Sequence, residues 1–295
     1  MFLEASQTAD ATLTQSGVSR DRLRRLLNAY PLSRRLFECF PALEPHPGYS
    51  PARDIHLSDQ DFPGPITCTP SEGGLLFALA DIWNPRRPLE IGSFIGWSTA
   101  HIASALKTTQ LQCIEPFLVS ESPETDPPSA LAARRFRENI ARSGCQEKVR
   151  LIPEPSPTSL MPNRPEGGWD FVFLDGWHND GQPLRDVEGL LPCLAAKALV
   201  ILHDTWIPDV RDAMLRLLDA GFLVYSLDTA NYIGVCVRGE DIGHWEKFRA
   251  IALEKRHVLD AAQALRRHVG LSVSSIQAAC DALRIGFPDQ YRLLS

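Results

Sequence analysis

Short, continuously apolar runs alternate with amphipathic stretches through the middle of the chain. Residues 89–91, 111–115, 149–152, 169–175 and 198–202 read as strands, the fourth carrying the unbroken run Phe171-Val-Phe-Leu174. Between them, residues 97–106, 130–143, 184–194 and 210–220 place apolar side chains at helical spacing, and Gly144 and Gly221 close two of these helices. A strand that is apolar on both faces must be covered on both faces, so the alternation predicts a parallel sheet between two helical layers. Residues 222–227 and 232–238, separated by the hairpin-length link Asp228-Thr-Ala-Asn231, add an antiparallel pair. The expectation is a doubly wound α/β sheet of seven strands, mostly parallel with an antiparallel last strand.

The flanks read differently. Residues 19–40 form a helical piece broken at Pro31, and residues 41–65 are proline-rich with neither a helical nor a strand period. Such a segment suits a lid or substrate wall, and equally an arm exchanged between subunits. Thr69-Pro-Ser-Glu72 is a capping box with proline at the first helical position, opening a helix over 73–83. Residues 244–295 read as helices. The chain therefore divides into an N-terminal helical arm with a proline-rich lid (1–68), a core (69–240) and a C-terminal helical extension (241–295), the terminal extensions being where a homodimer contact is expected.

Composition narrows the partners. With 295 residues, 44% of them hydrophobic, the chain can bury one sizeable core. A net charge of −6 argues against nucleic acid or an anionic membrane surface and for a small-molecule partner. Seven cysteines, at 39, 68, 113, 145, 193, 236 and 280, include no Cys-x-x-Cys pair, as expected of reduced thiols in a cytoplasmic protein. Neither a signal peptide nor an apolar stretch of membrane-spanning length is visible.

The richest stretch is Pro88-Leu-Glu-Ile-Gly-Ser-Phe-Ile-Gly-Trp-Ser98, a strand that turns at Gly92 and Gly96 and restarts as a helix whose N-terminus can meet an anionic group. Its Glu-x-Gly-x-x-x-Gly spacing differs from the dinucleotide fingerprint Gly-x-Gly-x-x-Gly, and an acid before the first glycine suits a cationic ligand. Ligands of open α/β sheets sit beyond the carboxyl ends of the strands, and those ends are polar here: Glu90, Gly92 and Ser93, then Glu115, Ser156, Asp175, and finally His203 with Asp204. Singly, each fits a helix cap or a solvated loop; jointly they mark a site. Glu115 is placed to accept from a ribose diol. Asp175-Gly-Trp-His178 sets an acid and a base on one tight turn.

The stretch 88–98 resembles motif I of the class I S-adenosylmethionine-dependent methyltransferases, in the Glu-x-Gly-x-x-x-Gly-aromatic-Ser form of the catechol O-methyltransferase type. The resemblance covers roughly residues 69–238 and implies a Rossmann-like sheet. It implies that Gly92 and Ser98 meet the methionine moiety, that Ser93 and Gly96 of the same turn bind the cofactor with them, and that Glu90 lies near the cationic end of the ligand. Glu115 would hold the ribose hydroxyls, Ser156 the adenine edge, and Trp97 and Trp177 would wall the cofactor. Catechol-type and related sugar O-methyltransferases carry a metal carboxylate at the Asp175 position, which also borders the cofactor, and a lysine or histidine base at the His178 position. Asp204 matches their second metal carboxylate. Thr205 stands where the catechol type has asparagine and His203 where some sugar methyltransferases have glutamate, so either is a candidate further ligand. Two carboxylates with a hydroxyl suit magnesium, whereas recruiting His203 favours manganese or iron.

Methyl transfer to a hydroxyl needs the oxygen freed of its proton, and an imidazole of ordinary pKa near ~6.5 is suited to take it. The expected function is a divalent-metal-dependent O-methyltransferase acting on a small hydroxylated molecule, phenolic, sugar or natural product. The alternatives are a metal-independent methyltransferase, N-methylating or otherwise, and a non-catalytic S-adenosylmethionine-binding subunit.

Overall fold

The five parallel runs and the antiparallel pair close into a single sheet in the computed structural model, which describes residues 27–46, 54–62, 67–117, 128–227 and 229–239. In chain order, helix α1 (Pro31–Cys39) leads to two short strands, β1 (Leu43–Pro45) and β2 (Leu57–Asp59), and then to α2 (Pro70–Trp83). The sheet follows as β3 (Pro88–Ile91), α3 (Trp97–Ala105), β4 (Leu111–Ile114), α4 (Pro128–Arg142), β5 (Val149–Ile152), a one-turn α5 (Leu160–Asn163) and β6 (Trp169–Leu174). It ends with α6 (Gln182–Leu190), β7 (Leu194–Leu202), α7 (Pro208–Asp219), β8 (Leu223–Leu227) and β9 (Ile233–Arg238). The strand order is β5-β4-β3-β6-β7-β9-β8, with only β9 running against the rest. The doubly wound, Rossmann-like reading holds, with β9 inserted between β7 and the edge strand β8.

The apolar runs are buried on both faces for a visible reason. Along β6, Phe171 and Phe173 enter the core that α2, α3 and α4 cover, while Val172 and Leu174 enter the core under α6 and α7. α2 starts as the capping box predicts, the Thr69 amide donating to Glu72 Oε2 at 2.9 Å and Pro70 taking the first helical position.

Three expectations change. Residues 41–65 are not wholly irregular: Leu43 to Pro45 pairs antiparallel with Leu57 to Asp59, and strands of three residues are too short to show a period. The helix expected over 184–194 ends at Leu190, because Leu191–Cys193, with Pro192 inside, tightens into a 3-10 turn. β7 accordingly begins at Leu194, four residues before the apolar run suggests. The helices expected over 244–295, the start of the helical piece at 19–26 and any dimer contact through the extensions lie outside the described residues.

The arm shares the core. Leu36, Phe40, Ile55, Leu57 and Phe62 are buried in the same cluster as Leu76 and Trp97. Arg135 of α4 pairs with Asp61 and lies 3.8 Å from Asp59, and Phe62 meets Phe94 of the glycine turn edge-on at 4.9 Å. No described helix is long and apolar enough to cross a membrane, and the six described cysteines are free thiols.

The chain order reverses between β3 and β6. There the carboxyl ends of neighbouring strands splay apart, so a crevice is expected beyond Ile91 and Leu174.

Candidate active site

Gly92 makes the crevice. Its φ is +84°, and a Cβ there would lie 2.2 Å from the Asp175 carbonyl oxygen, so only glycine lets the turn after β3 touch the turn after β6. Glu90 is entirely buried beneath this turn and accepts hydrogen bonds from the hydroxyls of Ser93 (2.8 Å), Ser98 (2.6 Å) and Thr99. Burial pushes its pKa up to about 7, against the pull of those donors. Glu115 holds the same turn from the β4 side, taking the Ser93 and Phe94 amides on Oε2 at 3.0 and 2.8 Å and the Phe117 amide on Oε1 at 2.6 Å. Gly96, at φ +89°, leaves room for Ile140 and Phe136 of α4. Trp97, 1% exposed, packs edge-on to Phe40 and His101.

The ends of β6 and β7 carry an ionic cluster. Asp175 Oδ1 is 3.2 Å from His178 Nε2 and 3.1 Å from His203 Nδ1, and Asp204 Oδ2 is 3.2 Å from His203 Nδ1 and 3.7 Å from His178 Nε2. His203 Nε2 lies 3.2 Å from Glu72 Oε2. Asp204 takes a left-handed φ of 56°, a conformation short polar residues tolerate, and accepts from the Trp206 indole at 3.0 Å. Burial opposes charge on His203, but Asp175, Asp204 and Glu72 outweigh it and raise its pKa well above the ordinary value. In His178 the same contest, won by the hydrogen bond and charge of Asp175 with help from Asp204, raises the pKa. Burial likewise opposes ionisation of Asp175 and Glu72, yet the charge of His203 holds both carboxyls below the usual range.

Asp175, His178 and Asp204 each offer one ligand atom, all within 4.8 Å of one another. The two carboxylate oxygens are hard donors that fit a divalent cation, and the imidazole nitrogen stands beside them. The cluster opens on a cavity of about 680 Å³ that reaches from Gly92 and Ser93 past Asp175 and His178 to Trp206 and Tyr232.

Residues 89–205 match the family model described as a methyltransferase domain. The segment so matched carries the glycine turn together with Asp175, His178 and Asp204, and it is similar to a methyltransferase domain. Zebrafish (Danio rerio) catechol O-methyltransferase B is 31% identical over 146 residues, which are 48% of this chain and 50% of that protein, so the match spans about half the length of the curated relative. Among solved structures, the O-methyltransferase TomG of Streptomyces achromogenes, in complex with SAM, is similar with a TM-score of 0.50 and 22% identity, over 61% of this chain and 85% of that one. An O-methyltransferase of Bacillus cereus, in complex with SAH, is similar with a TM-score of 0.54 and 16% identity, over 79% and 97%. At these identities the two structures speak for the fold.

In the methyltransferase core, Gly92, Ser93, Trp97, Ser98, Asp175, His178, His203 and Asp204 border one cavity. Glu90, Glu115 and Gly96 do not line it; they shape the turn that does. The hydroxyl of Thr205, beside Asp204, donates to the Tyr232 carbonyl at 2.8 Å. Trp177 is 63% exposed, donates to Asp180 at 3.3 Å and is not among the lining residues. Ser156 also lies off the cavity, its carbonyl accepting from the Gln182 amide at 3.1 Å.

Sequence reasoning missed Glu72 as part of the methyltransferase site. Besides capping α2 and facing His203, it accepts the Asn231 backbone and side-chain amides at 2.8 and 2.9 Å, tying the cavity-lining loop before β9 to the cluster. The capping box was the only signal, and it pointed to helix initiation. His56 of the arm, 5% exposed, also borders the cavity and carried no motif.

Proposed function

We propose that the methyltransferase core transfers a methyl group from S-adenosylmethionine to a hydroxyl of a small-molecule acceptor, with a divalent cation held by Asp175 and Asp204 and with His178 as the base. The observation that carries this reading is the convergence of Asp175, His178 and Asp204 within 4.8 Å at the edge of a cavity that also borders the glycine turn. A bound divalent cation supplies charge stabilisation that lowers the pKa of a coordinated hydroxyl. His178 Nε2 accepts the hydroxyl proton; the freed oxygen pair then forms the bond to the methyl carbon as the carbon–sulfur bond breaks, leaving the thioether S-adenosylhomocysteine. Held between three carboxylates, His203 acts as a fixed positive charge that aligns the two aspartates.

The topology supports a place for the nucleoside. An acid at the end of the strand beside β3 suits ribose hydroxyls, and Glu115 Oε1, which takes one amide where Oε2 takes two, keeps acceptor capacity for one of them. The base then extends past β4 toward the loop after β5, where Ser156 meets the adenine edge. Lining residues that include imidazoles, aromatic rings and aspartates, with no lysine or arginine among those described, suit an uncharged hydroxylated acceptor.

A metal-independent version is favoured by one observation: His203 Nδ1 already lies within 3.2 Å of both aspartate oxygens, where a cation would share them. Release of S-adenosylhomocysteine from S-adenosylmethionine, measured over a panel of phenols and sugars with magnesium and after chelation, decides between them. Turnover that stops on chelation supports the metal reading, turnover that survives selects the second, and failure to bind S-adenosylhomocysteine at all overturns both.

A further inference from the structure

The turn after β7 is pinned between the end of β6 and the start of β9. The His203 amide donates to the Leu174 carbonyl at 3.1 Å, the Thr205 amide and hydroxyl both reach the Tyr232 carbonyl, at 3.0 and 2.8 Å, and the Ile207 amide closes on the Asp204 carbonyl at 2.9 Å. Asp204 sits in this frame with a left-handed φ of 56°. With the backbone fixed, only the torsions of its own side chain are left, and two different neighbours take its two oxygens. Oδ2 faces the ionic cluster, 3.2 Å from His203 Nδ1 and 3.7 Å from His178 Nε2. Oδ1 accepts from the Trp206 indole N–H at 3.0 Å. Trp206 lines the cavity and is 44% exposed, so packing alone does not fix its ring; a hydrogen bond to a carboxylate, the stronger kind, ties it to Asp204.

We propose that Trp206 is a positioning residue that sets cation choice: by occupying Asp204 Oδ1 it leaves Oδ2 as the one oxygen Asp204 offers, which favours magnesium over calcium. The inference rests on the reading of Asp175 and Asp204 as the residues that hold a divalent cation. Magnesium takes single carboxylate oxygens in a strict octahedron completed by water, whereas the larger calcium collects more oxygens and often grips a carboxylate by both. A carboxylate with one oxygen tied away therefore deprives calcium of a ligand and still meets the demand of magnesium. The tie is particular to this position. Trp177 stands two residues past Asp175 as Trp206 stands two past Asp204, yet its N–H goes to Asp180 at 3.3 Å and not to the aspartate of the cluster. Trp206 also lies just beyond residues 89–205, so the match to a methyltransferase domain does not speak for it.

Competition for manganese on the full chain, read from the electron paramagnetic resonance signal of the free ion, tests this. Manganese is bound first and then displaced with magnesium or with calcium, which gives the ratio of the two affinities without any turnover. Trp206→Phe keeps an aromatic ring in the cavity wall and removes the N–H. Its calcium-to-magnesium affinity ratio is expected to rise about fivefold over the wild type, the worth of releasing one hydrogen bond so that Oδ1 can join Oδ2. A merely structural role for the ring would weaken both ions together and leave the ratio where it was. Trp206→Leu is expected to raise the ratio equally, and it decides the matter if Trp206→Phe lacks the wild-type circular dichroism spectrum. A folded variant whose ratio stays within about twofold of the wild type overturns the proposal. A wild type that takes up no manganese overturns the cation reading itself, a distinct result from a ratio that does not move.

Discussion

Glu90 on one side and Glu72 with Asp175 on the other lie near the same cavity, and their carboxyls move in opposite directions. Glu90 is met by neutral hydroxyls, which cannot match the desolvation of a charge, so its pKa rises to about 7. Glu72 is as deeply placed and Asp175 keeps 17% of its side chain exposed, yet imidazoles face both and their pKa values fall. The partner, and not the depth of burial, decides whether a buried acid is ionised. One end of the crevice is therefore a hydroxyl-laced scaffold for the glycine turn. The other holds compensated charges, where an ion and a proton can be exchanged.

The charged end should carry the larger effects. His178→Ala is expected to lower turnover by about 10²- to 10⁴-fold, the range for losing a general base, with S-adenosylhomocysteine affinity unchanged by titration calorimetry. Turnover kept within a factor of a few would remove His178 from the mechanism. Glu72→Ala strips a fully buried imidazole of one carboxylate and frees Asn231, a loss of about 3–5 kcal/mol of stability in urea denaturation. A loss below 1 kcal/mol, on the same scale, would mean that His203 does not depend on Glu72 for its charge.

Glu90 supplies the next effect, read as pH dependence. Its folded pKa of about 7 stands above the ordinary glutamate value of 4.5, so the stability it contributes is present below about pH 4.5 and is lost as pH rises through 7. Glu90→Gln removes that titration; its one oxygen can still accept from Ser93 and Thr99, while its amide nitrogen donates to the Ser98 hydroxyl in place of accepting from it. Between pH 4.5 and 7.5, the wild type is therefore expected to lose on the order of 3 kcal/mol relative to the variant in parallel urea denaturations. A constant difference across that range would show that Glu90 stays ionised, and the contrast with Asp175 would collapse.

What the sequence disclosed follows the range of the interactions involved. The parallel strands were legible because burial on both faces makes them continuously apolar, and Asp175, His178 and Asp204 because they end such strands. The pair β1 and β2 was hidden, since each strand is only three residues long and its stability comes from its partner. Glu72 read as a helix cap because its other partners, His203 and Asn231, lie 131 and 159 positions along the chain. The partner of the Thr205 hydroxyl, the Tyr232 carbonyl, was hidden for the same reason: the insertion of β9 beside β7 brings it there from 27 positions away.

Trp177 gives the smallest and most discriminating effect. The pattern puts it against the cofactor, whereas the side chain stands 63% exposed beside Asp180, two residues from Asp175. Exposed, it contributes little to packing, so Trp177→Ala should change unfolding free energy by less than about 0.5 kcal/mol. Aromatic stacking on a nucleobase is worth about 1–3 kcal/mol, and a ring held at the surface recovers only the lower part of that on binding, so S-adenosylhomocysteine affinity should fall roughly fivefold. Unchanged affinity would place Trp177 with Asp180 as a surface pair and leave the nucleoside end to Glu115 and Ser156. A loss in stability would instead mean that the indole packs against the turn that carries His178, joining the scaffold to the charged end.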